Sequence, residues 1–197
     1  SEREAREAGY DVVVCHNSKP DKPEYLGGQE MVIKAVADRA DGRLLGVQIV
    51  GRSGVDKRID VFATAMSYGA KAEDLFYLDL AYAPPFATTK DPVLYTGMIL
   101  ENAIHGSRPL MTAEELIERQ RAGEPVTTID ARIPAQYEKG HVDGAVSIPH
   151  AELRGAAELL NKEAVVVTYC NKGTTGNAAQ NILIKKGFKR VYNLSGG

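Results

Sequence analysis

Cysteines are scarce in this sequence, long apolar runs are absent, and the net charge is close to zero. Two cysteines, Cys15 and Cys170, among 197 residues are too few for a disulfide framework and are typical of the reducing cytoplasm. No apolar run approaches the roughly 20 residues that a membrane-spanning helix needs. No signal peptide precedes the first apolar stretch, Val12–Val14. The net charge of −2 predicts no field that attracts nucleic acid. We therefore predict a cytoplasmic protein that binds neither membranes nor nucleic acid.

The glycine-rich fingerprint G-x-G-x-x-G, which binds dinucleotides, is also missing. We therefore predict that this chain binds no cofactor by itself, and we predict no metal site. The sequence begins with Ser1 rather than Met, and its last residues, Ser195–Gly197, resemble the start of a loop. We expect both ends to continue in a longer protein.

The first part of the sequence predicts an α+β unit, in which hairpin strands are followed by helices. Asp41-Gly42 is a turn signal between two β-like runs, which predicts a hairpin. The predicted elements are strands over Asp11–His16, Met31–Ala37 and Leu44–Val50, loops over Asn17–Gly28 and Tyr82–Lys90, an amphipathic helix over 56–68, and a helix capped by Asp91 with Pro92 as its first residue.

The turn-forming residues Gly106–Pro109 predict a boundary between a domain at 1–106 and a domain at 107–197. Strands and helices alternate after it, which is typical of an α/β fold with a central parallel sheet. Thr112 and Glu115 form a capping-box motif at the start of a helix. The other predicted elements are strands over Val126–Asp130, Ala145–Ile148, Ala164–Tyr169 and Arg190–Asn193, and helices over Leu153–Leu160 and from about Asn177 to Lys186.

Cys170 directly follows the predicted strand Ala164–Tyr169 and precedes a predicted helix. In an open α/β sheet, active sites lie at the carboxyl ends of the strands. Loop N–H groups and the dipole of the following helix favour an anion at the cysteine sulfur, and the thiolate is the reactive form. A lone cysteine after a strand is, however, more often a buried core residue. We predict Cys170 as a nucleophile, with an anion-binding loop formed by Asn171, Lys172, Gly173, Thr174, Thr175 and Gly176.

Residues 107–197 resemble a rhodanese domain in the order and spacing of their motifs. The resemblance rests on Asp130-Ala131-Arg132, on Tyr137–Pro149, on the cysteine loop Cys170–Thr175 and on Leu194–Gly197. It implies that Cys170 takes up a sulfane sulfur, holds it as a persulfide and passes it to a thiol or to cyanide. We expect structural roles for Asp130, Arg132 and His141, with Arg132 paired to a carboxylate or a loop carbonyl.

Most of residues 2–106 resembles the C-terminal dimerisation domain of flavin-dependent pyridine nucleotide-disulfide reductases, in the branch of the coenzyme A disulfide reductases. The resemblance rests on Gly51–Asp60 and Asp79–Val93. It implies a homodimer formed through residues 1–106, and missing N-terminal domains that bind FAD and NAD(P)H. The full-length protein would then be a reductase of coenzyme A disulfide, persulfide or polysulfide, with small-molecule sulfur donors and thiols as its partners and coenzyme A as a further ligand.

Two tyrosines of this first part are candidate site residues by the same resemblance. The resemblance implies that Tyr82 and Tyr25 supply hydroxyl groups near the reductase active site of the other subunit. Related reductases present a histidine as general acid in the matching loop, and no histidine lies between His16 and His105 here. The alternative is that both tyrosines only pack at the dimer interface. Cys15 lies in a Val-rich strand and is predicted to be an inert buried thiol.

Three functions stay open on the sequence alone. The first is sulfur transfer through a Cys170 persulfide, in a chain whose redox activity is not expected without its missing domains. The second is a non-catalytic rhodanese-fold module for binding or regulation, against which the presence of Cys170 argues. The third is a phosphatase of the related loop type. Its phosphate-gripping Arg is missing, since Thr174, Thr175 and Gly176 stand at the end of the loop.

Overall fold

The computed structural model describes all 197 residues and divides them into two compact units, Ser1–Ser107 and Arg108–Gly197. No helix in either unit is both long enough and apolar enough to cross a membrane.

The first unit is built on a three-stranded antiparallel sheet of order β1-β2-β3. The predicted hairpin of β2 and β3 is confirmed by their antiparallel pairing. The strands are β1 (Val12–Pro20), β2 (Glu30–Asp38) and β3 (Leu44–Gly51), and the helices are α1 (Glu2–Glu7), a 3-10 turn (Glu24–Leu26), α2 (Val55–Ser67), α3 (Ala72–Phe76) and α4 (Pro92–Ile104).

Strand β1 continues to Pro20, so the loop predicted over Asn17–Gly28 was wrong for its first four residues. The residues after His16 are mostly polar and do not show a hydrophobic strand pattern. They nevertheless form a strand, which pairs with β2 as far as Pro20 opposite Glu30. Asn17 is buried there, and its amide donates hydrogen bonds to the Pro92 carbonyl and the Thr96 hydroxyl. The side-chain nitrogen of this core position is thus satisfied, whereas its buried Oδ1 has no hydrogen-bond partner.

A buried ion pair links α2 to the start of α4. The guanidinium of Arg58 is 2.7 Å from the Asp91 carboxylate, and both side chains are almost fully buried. Asp91 Oδ1 also accepts a hydrogen bond from the Val93 N–H, which confirms the predicted N-cap. Because Asp91 directly follows the segment Tyr82–Lys90, this pair fixes the point where that segment enters α4.

The second unit contains a five-stranded parallel sheet of order β4-β8-β7-β5-β6, which confirms the predicted α/β fold. Its middle strand β7 is buried along its whole length. Apolar clusters cover both faces of the sheet. The strands are β4 (Leu110–Met111), β5 (Val126–Asp130), β6 (Val146–Ser147), β7 (Val165–Tyr169) and β8 (Arg190–Leu194), and the helices are α5 (Ala113–Arg121), α6 (Pro134–Lys139), α7 (Leu153–Ala156) with a 3-10 turn (Ala157–Leu159), and α8 (Thr174–Lys185).

Helix α8 begins at Thr174, three residues before the predicted start at Asn177. Gly173 adopts a φ of 78° at the N-cap, a conformation that glycine reaches at little cost. The N–H groups of a helix's first turn have no acceptor within the helix, so Thr174 and Thr175 lose nothing by starting it. The prediction that both threonines and Gly176 belong to a loop was therefore wrong.

The capping box of Thr112 and Glu115 is confirmed, with both reciprocal hydrogen bonds present at the start of α5. The short elements β4 and α6 were not predicted, because two to six residues are too few to show a hydrophobic period.

Candidate functional site

Cys170 lies directly after the middle strand of the parallel sheet, between the carboxyl ends of β5 and β8. Its side chain is only 8% exposed, yet it lines a cavity of about 530 Å³. Asn171 and Lys172, next to it on the rim, are exposed to solvent. The sulfur therefore lies at the floor of a pocket that opens to solvent, and not within the apolar core.

Loops that follow three neighbouring strands build the walls of this cavity. Strand β5 leads into the segment that carries Arg132 and Gln136, and β6 leads into Pro149-His150-Ala151. The third wall comes from β7 and the start of α8. The complete lining consists of Ala131, Arg132, Ile133, Gln136, Pro149, His150, Ala151, Cys170, Asn171, Lys172, Thr174 and Thr175.

The amino end of α8 contributes to the same cavity through Thr174 and Thr175. First-turn N–H groups carry the positive end of the helix dipole, which stabilises nearby anions. A thiolate or a persulfide on Cys170 is such an anion. The amino end of α8 is therefore placed where it would stabilise an anionic sulfur species bound in this cavity.

Arg132 ties the cysteine loop to the loop after β5. Its guanidinium donates to both carboxylate oxygens of Asp130, to the Asn171 side-chain oxygen and to the Gly140 carbonyl. The predicted pairing of Arg132 with a carboxylate and a loop carbonyl is confirmed. Because these contacts occupy the guanidinium, Arg132 acts mainly as a brace for Asn171, next to the sulfur.

Asp130 is the fully buried centre of this brace. Burial by itself would raise the pKa of its carboxyl. Hydrogen bonds from Arg132 and from the Tyr169 hydroxyl, at 2.6 Å, outweigh burial and hold the pKa below its usual range. Burial and the hydrogen bond to Asp130 in turn raise the pKa of Tyr169. Tyr169, which directly precedes Cys170, is therefore a neutral phenol at neutral pH.

His141 lies beside the brace without entering the cavity. Its ring stacks on Tyr137 with centroids 3.7 Å apart, and its Nδ1 lies 3.0 Å from the Tyr137 carbonyl. These contacts support the predicted structural role of His141.

Two residues of the predicted anion-binding loop lie behind the cavity and not in its lining. The Gly173 carbonyl accepts a hydrogen bond from the Asn193 amide at 3.2 Å. Gly176 is buried against β7 and β8, and a Cβ atom there would lie 2.3 Å from Asn193 Oδ1. The absence of a side chain at 176 thus lets α8 start close to the strand ends, beside Cys170.

The structure brings together Cys170, Asn171, Lys172, Thr174 and Thr175, which all line the cavity. The candidate tyrosines lie in the first unit, where Tyr82 is 50% and Tyr25 is 78% exposed. Cys15 is completely buried in β1, and burial raises the pKa of its thiol to about 12, which confirms it as a buried thiol.

Sequence reasoning did not name Gln136 or His150, although both line the cavity. A signal for His150 was available, since it follows β6 at the same edge of the sheet as Cys170. Gln136 lies on the short helix α6, which the sequence did not reveal.

Both units match families of known proteins. Residues 112–197 match the rhodanese-like domain, and residues 1–92 match the dimerisation domain of pyridine nucleotide-disulphide oxidoreductases. The thiosulfate sulfurtransferase PspE of Escherichia coli is 40% identical over 70 residues, which is 34% of this chain and 67% of that protein.

Larger reductases match as well. The NAD(P)H coenzyme A polysulfide/persulfide reductase of Pyrococcus horikoshii is 42% identical over 102 residues, which is 51% of this chain and 23% of that enzyme. The crystal structure of reduced Bacillus anthracis CoADR-RHD is 31% identical with a TM-score of 0.92, over 100% of this chain and 35% of that chain. This chain thus spans less than a quarter of the Pyrococcus enzyme. It belongs to the rhodanese-like family through residues 112–197, and it joins that domain to a pyridine nucleotide-disulphide oxidoreductase dimerisation domain, an arrangement that matches Bacillus anthracis CoADR-RHD over the whole length of this chain.

Proposed function

We propose that this chain is a sulfurtransferase that carries a single sulfur atom on Cys170. The observation that carries the proposal is the position of this thiol, at the floor of a solvent-open cavity and beside the amino end of α8. The same position suits a persulfide, which is also an anion. The likeness to a thiosulfate sulfurtransferase supports the same chemistry.

The reaction has two balanced steps. In the first, the Cys170 thiolate attacks the outer sulfur of a donor such as thiosulfate. A new S–S bond forms, the donor S–S bond breaks, and sulfite leaves with the electron pair. In the second step, a thiolate or cyanide attacks the outer sulfur of the Cys170 persulfide. The S–S bond at Cys170 breaks, and the thiolate is regenerated without any external oxidant or reductant.

The parent protein is proposed to be a reductase that uses FAD and NAD(P)H and acts on coenzyme A disulfide, persulfide or polysulfide. The homology of both units to such enzymes supports this assignment. In that parent, residues 1–106 would form the homodimer, and Tyr82 and Tyr25 would lie near the reductase site of the partner subunit. The tether would raise the effective concentration of the persulfide near the reductase site.

The direct test incubates the chain with thiosulfate and cyanide and measures thiocyanate. Cys170→Ala is expected to reduce thiocyanate formation to the uncatalysed background. Cys15→Ala is the matched control, because Cys15 is fully buried and cannot meet a sulfur donor. Thiocyanate formation that survives Cys170→Ala would refute the proposal, and phosphate release from an aryl phosphate would point to the phosphatase alternative.

A further inference from the structure

Four histidines occur in this chain, and His150 is the one whose imidazole has no partner. His105 pairs with a glutamate, His141 stacks on a tyrosine, and His16 also has a specific interaction within the chain. The His150 side chain is half-buried, yet it forms no hydrogen bond, ion pair or ring contact with any other residue. A half-buried polar side chain without a partner is available to a ligand.

The backbone holds His150 in the wall of the cavity that Cys170 lines. Its N–H donates a hydrogen bond to the Ala131 carbonyl at 3.0 Å, which ties the loop after β6 to the loop after β5. The residue lines the same cavity of about 530 Å³ as Cys170, and also a second cavity of about 260 Å³ between α7 and α8. A small molecule that fills the first cavity therefore contacts both Cys170 and the imidazole.

His150 is the only side chain of the first lining, apart from Cys170, that can take up a proton near neutral pH. The other polar side chains there are amides, hydroxyls and cations, which accept no proton under these conditions. They belong to Arg132, Gln136, Asn171, Lys172, Thr174 and Thr175. A neutral imidazole keeps one ring nitrogen with a free lone pair, which can receive the proton of a bound S–H group.

The charged groups that face His150 are positive. The cations that line the two cavities are Arg132, Arg154, Lys172, Lys185 and Lys186. Arg132 and Lys186 are paired with carboxylates that lie outside both linings. Neither lining contains an Asp or Glu, and the nearby Glu152 lines neither cavity. No carboxylate is therefore placed to hold a proton on the imidazole once the ring has taken it up.

The second step of sulfur transfer needs a proton acceptor when the sulfur goes to a thiol. An ordinary thiol has a pKa of about 8.5, so it is mainly protonated at neutral pH, whereas the thiolate is the form that attacks. Sulfur uptake from thiosulfate needs no such acceptor, because the donor is an anion without an S–H proton at neutral pH. A base in the cavity is thus required for one half of the reaction only.

We propose that His150 is the catalytic base that activates a thiol acceptor for attack on the Cys170 persulfide. The inference rests on the proposed sulfurtransferase function and adds a catalytic residue to it. A ring nitrogen of His150 removes the S–H proton of the acceptor, and the acceptor sulfur bonds to the outer sulfur of the persulfide. The S–S bond at Cys170 breaks, and its electron pair stays on the Cys170 sulfur. The imidazolium then releases the proton to water, and no oxidant or reductant is consumed.

The test measures how fast the loaded chain passes its sulfur to two thiols of different acidity. The chain is loaded with thiosulfate, freed of the excess, and mixed at neutral pH with 2-mercaptoethanol or with 2,2,2-trifluoroethanethiol, whose fluorine atoms make its thiol more acidic. Intact-mass spectrometry follows the loss of the added sulfur. His150→Gln, which leaves the surrounding cations in place, is expected to slow transfer to 2-mercaptoethanol about a hundredfold, as for loss of a general base. Transfer to the more acidic thiol should slow by less than about threefold, because an ionised thiol needs no base.

Two controls separate a base from a structural role. His150→Gln should take up sulfur from thiosulfate within about twofold of the wild-type rate, since that step uses no base. Free imidazole should restore transfer to 2-mercaptoethanol by His150→Ala, whose shorter side chain leaves room for it. His105→Gln changes an exposed histidine that lines neither cavity and should leave every rate unaltered.

Equal slowing with the two thiols, unchanged transfer by His150→Gln, sulfur uptake slowed as much as transfer, or a lack of rescue by imidazole would each overturn the inference. A wild-type chain that takes up no sulfur at all would instead refute the proposed function itself. The failure of the base and the failure of the sulfurtransferase are thereby distinguished.

Discussion

The two cysteines differ in what surrounds each sulfur atom. Cys170 lines a solvent-open cavity beside a helix amino end, whereas Cys15 is completely buried in β1. Burial in apolar surroundings raises the pKa of Cys15 to about 12, so its reactive thiolate is almost absent at neutral pH. Residue type alone therefore does not single out the proposed nucleophile, whereas its place in the fold supports the choice of Cys170.

Alkylation measures this difference directly. At neutral pH, iodoacetamide is expected to label Cys170 in the folded chain and to label Cys15 only after denaturation. Peptide mass spectrometry of samples quenched over time gives both rates. Labelling of Cys15 as fast as Cys170 in the folded chain would contradict the assignment.

The brace formed by Asp130 and Arg132 predicts a dependence of stability on pH. The folded pKa of Asp130 is lowered, so its contribution to stability is complete above the unfolded pKa of about 3.9 and is lost as pH falls through the folded value. Asp130→Asn is expected to cost about 3 kcal/mol at pH 7, as for removing one partner of a buried ion pair. This cost should shrink as the pH falls below about 4.

Urea unfolding of wild type and Asp130→Asn between neutral and acidic pH measures the effect. Asp143→Asn is the control, because Asp143 is exposed. A difference between wild type and Asp130→Asn that stays constant with pH would exclude an ionised Asp130 in the folded state.

At the scale of elements, the start of α8 positions the site. The helix begins at Thr174 because Gly173 and Gly176 let the chain turn and pass close to β8. Asn193 of β8 holds this start through the Gly173 carbonyl. The close approach places the amino end of α8 at the cavity that Cys170 lines.

Gly176→Ala is predicted to disturb this approach. Its Cβ would lie 2.3 Å from Asn193 Oδ1, so Asn193 must move, and with it the contact to Gly173. We expect a loss of about 2 kcal/mol in the free energy of unfolding, as for overpacking a core, together with slower thiocyanate formation. Urea unfolding measures the loss of stability, and the assay with thiosulfate and cyanide measures the rate of thiocyanate formation.

Gly155→Ala in α7 is the matched control, since an added Cβ there meets no atom within 4 Å. It should leave activity unchanged and stability equal or slightly higher. Equal effects of the two substitutions would remove the argument for a close approach at Gly176.

The sequence predicted elements best where a hydrophobic period or a capping residue marks them. Strand β5 and the caps at Asp91 and Thr112 were predicted correctly. The extension of β1 through Asn17 was missed, because buried hydrogen bonds to distant residues make a polar side chain acceptable in the core. The start of α8 was missed because threonine and glycine do not suggest a helix by propensity.

The candidate site was predictable only in part. Cys170 and its following residues are contiguous in sequence, so the strand-to-helix pattern shows them. His150 and Gln136 come from other loops, and only the order of strands in the sheet brings them to the cysteine.

At the scale of the whole molecule, the first unit exposes apolar side chains that a dimer interface would cover. Val32 and Val50 face each other across β2 and β3 and are 45% and 75% exposed. Exposed apolar patches mark contact surfaces. The match of residues 1–92 to a dimerisation domain agrees with this interpretation.

A homodimer through the first unit predicts a mass in sedimentation equilibrium of twice 21.3 kDa. Val50→Glu is expected to shift the equilibrium towards the monomer, because it places a charge in the proposed interface. Ile117→Glu, which changes an exposed apolar residue of α5, is the control and should leave the dimer intact. A monomeric wild-type chain would contradict the proposal for this unit.

The central claim is that Cys170 carries a sulfane sulfur, and intact-mass spectrometry after reaction with thiosulfate tests it most directly. Wild type, freed of excess thiosulfate, should gain the mass of one sulfur atom, located at Cys170 by peptide analysis and removed by cyanide. Cys170→Ala should gain nothing. A wild-type chain without this added sulfur, or with the sulfur on Cys15, would contradict the account.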